Sequence, residues 1–271
     1  MRIKAGFEII YDCPAATPML LMLNVDPQRQ VDLETPDTVR IAPDVPIASY
    51  IDGFGNCCSR VVLPAGRSVI AADFIVRDSG LPDPILPDAK ASKVEDLPDD
   101  VIVYLLGSRY CETDTLSDLA WSLFGDLSPG WGMVQAIVDY THGRISFGYA
   151  HARATKSAWQ ANEEQRGVCR DFAHLAITLC RCMNIPARYC TGYLGDIGIA
   201  PIDAPMDFSA WFEAYLDGQW RTFDARHNTP RVGRILMARG RDATDAAITT
   251  SFGTAHLQSF VVKTDELPAF G

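Results

Sequence analysis

Cys169 stands in the run GVCRDFAHLAITLCRCMNI, where Val168, Phe172, Leu175, Leu179 and Met183 recur at helical spacing before Asn184 and Pro186 stop the pattern. The spacing predicts a helix with this thiol in its first turn. Unpaired N–H groups and the positive end of the helix dipole favour a thiolate there, and a thiolate attacks acyl carbons. Gly167 lets the backbone approach closely, and a backbone N–H at the same helix start can hold the oxyanion of an acyl-transfer intermediate. Position alone leaves a second reading open, that of a small core residue at a helix start.

The elements needed to position such a thiol follow directly. After Pro186, ARYCTGYLG reads as a strand, and SAWFEAYLDGQWRTFDAR reads as two alternating runs joined by Asp217-Gly218. That dipeptide is a strong signal for a two-residue hairpin loop. With such a loop Leu216 faces Gln219, Trp211 lies opposite Asp224, and Ser209 lies opposite Arg226. Ser209, Trp211, Glu213 and Tyr215 then share one face with Trp220, Thr222 and Asp224. The aromatic residues of that face suit a core, and a partly open tryptophan would suit the wall of a substrate cleft.

The first third differs in texture. Phe7 to Tyr11, Pro18 to Val25, Pro43 to Tyr50 and Arg60 to Leu63 are short runs broken by turn formers, a strand-rich pattern. Pro82, Pro84, Pro87 and Pro98 make the stretch from Ser79 to Asp100 unfit for a long helix or a central strand. We expect a β-rich domain over residues 1–90 and a second domain over 91–271. The second opens with helical segments at Thr115 to Leu123 and Trp131 to His142, then an Ala-rich stretch from His151 to Gln160.

Composition narrows the class of function. The chain has 271 residues, with 24 Lys plus Arg against 34 Asp plus Glu, and its formal charge of −10 disfavours nucleic acid and anionic lipid as partners. MRIKAGFEIIYD lacks a signal-peptide core and no apolar run reaches the roughly 20 residues that span a bilayer, so we expect a cytoplasmic protein away from membranes. Eight cysteines without a CxxC pair argue for free thiols rather than a zinc site. The acidic runs at 96–100 and 196–203 lack the spacing of a calcium loop, and Asp52-Gly53-Phe54-Gly55 lacks the third glycine of a phosphate cradle. No cofactor or metal is expected.

GVCRDFAHLAITLCRCMNIPARYCTGYL followed by AWFEAYLDGQWRTFDAR resembles the core of the bacterial transglutaminase-like superfamily, over about residues 95 to 260. The resemblance implies an α+β fold in which a helix carrying the cysteine packs on an antiparallel sheet, preceded by a β-rich domain. It also implies papain-like chemistry through a cysteinyl thioester, with a Cys, His, Asp triad acting on a peptide or protein. Cys169 matches the nucleophile and Asp224 the acid that orients the imidazole. The departure is Ser209, which stands where the family pattern has its histidine. Positions 209 and 224 are diagonal neighbours on one face, about 7 to 8 Å apart, a span for an imidazole and not for a serine.

A serine hydroxyl is no base near neutral pH, so three readings stand: another histidine supplies the base, the enzyme works slowly with a thiolate stabilised by the helix, or the site is a binding pocket. His174 is turned about 140° from Cys169 on the helix and suits a structural role. His142, His151 and His256 read as ordinary surface or loop residues. His227, in DARHNTP, would face away from Asp224 if the strand continued, but Asn228 and Pro230 signal a turn that can fold its ring back. We therefore expect Cys169, Asp224 and His227 as the catalytic set, with Ser209 and Trp211 on the substrate side. The alternative is an inactive member whose cleft binds a peptide or a partner protein.

Overall fold

The structure, a computed structural model, describes residues 1–200 and 206–268. The acidic run at 196–203 thus lies partly outside the described residues. Six strands open the chain: β1 (Arg2–Cys13), β2 (Thr17–Leu21), β3 (Arg40–Ala42), β4 (Ala48–Ile51), β5 (Cys57–Leu63) and β6 (Gly66–Arg77). Next come helices α1 (Asp99–Ile102), α2 (Thr113–Phe124) and α3 (Trp131–Arg144). The short parallel strands β7 (Ser146–Phe147) and β8 (Arg166–Gly167) flank α4 (Ala158–Glu164), and α5 spans Cys169–Cys182. The remaining strands are β9 (Ala187–Tyr193), β10 (Ser209–Leu216), β11 (Gln219–Phe223), β12 (Ile235–Gly240), β13 (Thr249–Ser251) and β14 (His256–Leu267). Among the described residues no helix is long and apolar enough to cross a membrane.

The fold is α+β. One sheet has the order β11-β10-β9-β12, with α5 packed on β10 and β9 and surrounded by α2, α3 and α4. From Asp171 to Cys182 every residue of α5 is buried, so its apolar stripe widened to the whole circumference once neighbours enclosed it. The Ala-rich stretch gives a helix only from Ala158, because Ser157 caps it by accepting the Gln160 N–H while Gln160 reaches back to the Ser157 N–H.

The other two four-stranded sheets, β14-β1-β6-β3 and β13-β2-β5-β4, share a core that includes Ile9, Leu21, Leu63 and Phe74. The expected division at residue 90 is crossed by this arrangement, since β13 pairs with β2 and β14 runs the length of β1. Val262 of β14 is buried in that core, and the returning strand pairs an edge of β1 that would otherwise stay open. The core also takes Tyr193, Ile235 and Met237 from the second sheet, so the two halves are packed together.

The hairpin follows the predicted register, with Leu216 opposite Gln219, Tyr215 opposite Trp220 and Glu213 opposite Thr222. Asp217 and Gly218 both take positive φ, 50° and 70°, the requirement of a tight loop between right-twisted strands. Ala210, Phe212, Ala214 and Leu216 point into the core under α5, and Tyr215 and Trp220 pack with Leu97 and Val101 on the opposite face.

His174 is a structural residue. It is fully buried, its ring lies 5.0 Å from Tyr110 and 5.2 Å from Tyr189, and its Nε2 accepts the Ala243 N–H at 3.1 Å. Burial holds the ring neutral, far below the ordinary histidine value, against the pull of nearby Asp242. The folded value is depressed, so below about pH 6.5 the unfolded chain takes up a proton that the folded chain refuses, and stability falls with pH. His174→Gln keeps an acceptor for Ala243 without that titration. Urea unfolding between pH 7 and pH 4 should show a shallower loss of stability in this variant, by up to about 1.4 kcal/mol per pH unit.

Candidate active site

Cys169 is the first residue of α5, as its spacing predicts. The helix start is held by the Asp171 carboxylate, which accepts the Val168 N–H at 2.9 Å. Asp171 folds back over Gly167, where an added Cβ would meet its Oδ2 at 2.6 Å, so only glycine fits beneath the cap. The Cys169 Sγ lies 4.0 Å from the carbonyl oxygen of Phe208, just ahead of β10. Phe147, paired with Gly167, carries the Arg226 guanidinium over its ring at 3.8 Å, which brings a positive charge to the same corner.

The helix address favours an ionised thiol, and burial opposes it. Burial pushes the Cys169 thiol up to about 11; Arg226 and the N–H groups of Ala210 and Arg170 work against that rise, while Asp207 adds to it. Burial raises Cys58 and Cys182 to about 11 as well, so Cys169 shares the shift of thiols that have no helix start beside them. Burial thus favours the protonated form of this thiol.

Asp224 and His227 do meet. The chain leaves β11 in a turn in which the Asn228 N–H bonds the Asp224 carbonyl at 2.8 Å, and the Asp224 Oδ1 accepts the N–H groups of Arg226 and His227, each at 3.0 Å. This turn folds the imidazole back, and its Nδ1 lies 2.8 Å from Asp224 Oδ2. Arg234 Nη2 donates to that same oxygen at 2.8 Å. Burial alone would raise the carboxyl, but the Arg234 guanidinium, then the hydrogen bond and charge of His227, hold it well below the usual carboxylate range. The His227 Nδ1 is engaged by Asp224, and Nε2 has no hydrogen-bond partner among the described residues.

Cys169 and the Asp224–His227 pair approach the end of the sheet from different sides. Phe223 and Ala225 point into the core beneath α5, so Asp224, between them, projects from the opposite face. Any group joining Asp224 to Cys169 must come round the end of the sheet, and His227 occupies the turn at that end. No hydrogen bond links His227 to Cys169 among the described residues; the sulfur lies instead beside the Phe208 carbonyl and the N–H groups of Ala210 and Arg170.

Ser209 and Trp211 share the Asp224 face, and each is 3% exposed. The Ser209 Oγ is buried without a hydrogen-bond partner. Trp211 lies under the Arg234 guanidinium, 5.1 Å from ring to charge, and borders a cavity of about 660 Å³ shared with Glu213, Trp220 and Thr222. Arg234 carries no signal in the sequence; it follows Asp224 by ten residues along an irregular loop, and only the fold brings the two together.

The description of the transglutaminase-like superfamily fits residues 119–225. A stretch of 94 residues is 36% identical to an uncharacterised protein of Mycobacterium leprae (strain TN), covering 34% of this chain and 33% of that protein, so the match spans about a third of the relative's length. Among solved structures, a candidate cysteine protease from Cytophaga hutchinsonii is similar over 100% of this chain and 92% of its own, at 29% identity and a TM-score of 0.85. These likenesses support a papain-like role, in catalysis or in binding. With the family core matched over residues 119–225 and a solved structure of the same fold along the whole chain, the chain carries a transglutaminase-like core.

Proposed function

We propose that this chain performs thiol-dependent acyl transfer on a carboxamide or peptide bond of a peptide or protein. The observation that carries the reading is the Asp224–His227 pair, formed in the turn at the end of the sheet where Cys169 opens α5. Burial favours the protonated thiol, so in this reading its proton leaves during attack rather than beforehand. Sγ bonds to the carbonyl carbon as His227 Nε2 takes the thiol proton, and the carbonyl electron pair moves onto oxygen beside the N–H groups of the helix start. Collapse of this intermediate breaks the C–N bond, the amine departs with the proton from His227, and a thioester remains on Cys169. Water or a lysine amine then attacks the thioester, losing a proton to His227, and the thiol returns with that proton.

Water as acceptor makes the chain a peptidase or amidase, and an amine makes it a crosslinker. All eight cysteines are free, which fits a reducing compartment such as the cytoplasm. The test is incubation with a glutamine-bearing peptide, measuring ammonia release and intact mass. Ammonia together with a hydroxylamine-sensitive acyl adduct on Cys169 is expected. Turnover that survives Cys169→Ala would overturn the proposal.

A second reading, a cleft that binds peptide without reacting, draws on two observations: Ser209 at the histidine position of the family pattern, and a thiol whose protonated form burial favours. Peptide binding with neither ammonia nor adduct would establish it in place of the first.

A further inference from the structure

We propose that Asp83, in the Pro-rich segment between the β-rich layer and the helices, is a positioning residue for the Asp224–His227 pair and acts through Arg234. The inference rests on the proposed roles of Asp224 and His227 and extends the site to a part of the chain remote in sequence.

Arg234 is the bridge. Its side chain is only 8% exposed, and its fork spans two carboxylates: Nε lies 3.1 Å from Asp83 Oδ1 and 2.9 Å from Asp83 Oδ2, and Nη2 lies 2.8 Å from Asp224 Oδ2. That last oxygen is the one His227 Nδ1 uses, so the place of the guanidinium sets where the imidazole can bond. A planar guanidinium holding two carboxylates at once has little rotational freedom, which a single-point cation would keep.

Asp83 is itself fixed to the segment that carries Arg234. Its N–H donates to the Arg231 carbonyl at 2.9 Å, and its Oδ2 accepts the Arg231 N–H at 2.9 Å. Asp83, Pro84 and Ile85 then border a small cavity of about 80 Å³ together with Thr222, Phe223 and Asp224, so this stretch of linker covers the catalytic acid. Charge acts in the same direction as geometry. With both carboxylates present, Arg234 is balanced from two sides; without Asp83 its positive charge is left to Asp224 alone, in competition with the imidazole for one oxygen.

The experiment uses the full chain labelled with ¹⁵N-histidine, in which the His227 ring signals are identified by their loss in His227→Gln. Asp83→Asn should displace those signals at neutral pH and lower kcat on a glutamine-bearing peptide by about 10- to 100-fold with KM unchanged. Asp78→Asn removes a nearby linker carboxylate paired with Arg29 and should leave both readouts as in the unmodified chain. Arg234→Lys, which retains charge but cannot span both carboxylates, should displace the same ring signals and serves if Asp83→Asn fails to fold. Unmoved His227 signals in a folded Asp83→Asn or Arg234→Lys protein overturn the proposal. Because the ring signals need no turnover, this result stands apart from a failure of the acyl-transfer reading, which would show as an unreactive Cys169 with the relay intact.

Discussion

Cys169→Ala is expected to lower turnover of a glutamine-bearing peptide by at least about 10³-fold, and His227→Ala to do nearly the same, because members of one catalytic unit are not additive. The double variant should be no slower than either single one. The reason lies in the resting thiol: burial raises it to about 11, so a thiol without a base to receive its proton stays a poor nucleophile at neutral pH. Steady-state kinetics of the three variants decide the matter. Turnover in His227→Ala close to that of the unmodified chain would remove the imidazole from the mechanism and return attention to Ser209, where Ser209→His should then restore the pattern that the family resemblance implies.

The second large effect concerns Asp224. Asp224→Asn leaves the imidazole without a carboxylate partner and should cost about 10² to 10⁴-fold in kcat, since the ring loses both its tautomer and its aim. It should also unfold more easily. The carboxylate is 3% exposed and holds Arg234 as well as His227, and removing one member of a buried pair typically costs about 3 to 5 kcal/mol; Arg234 keeps Asp83, which argues for the lower end. The pH dependence has a definite sign. The folded carboxyl titrates below its ordinary value, so its contribution is complete above about pH 4 and disappears as pH falls further. Urea unfolding at pH 7 should therefore separate the two proteins widely, and at pH 2 to 3 the gap should narrow. This window lies below the one set by His174, so the two groups can be told apart in one titration series.

Part of this site is local and was readable from spacing. The Phe172, Leu175, Leu179 repeat and the Asn184-Ile-Pro186 stop define α5 and put Cys169 in its first turn. Asp217-Gly218 alone sets the register that places Ser209, Trp211 and Asp224 on one face, since a two-residue loop leaves the strands a single way to pair. His227 was partly readable: Asn228 and Pro230 marked the turn, but the bond to Asp224 depends on the Asp224 Oδ1 accepting two successive N–H groups, a geometry that residue types permit without demanding.

What the residues determined by themselves, then, is whatever depends on neighbours within a turn or two along the chain: the helix start, the hairpin and its faces. The tertiary structure alone decided the burial that raises the thiol, the bridge from Asp83 through Arg234 to Asp224, and the return of β14 to β1 across some 250 positions of sequence. Loss of water around a sulfur and the meeting of charges from distant segments are properties of how elements enclose one another. Periodicity describes each element singly and carries no measure of that enclosure.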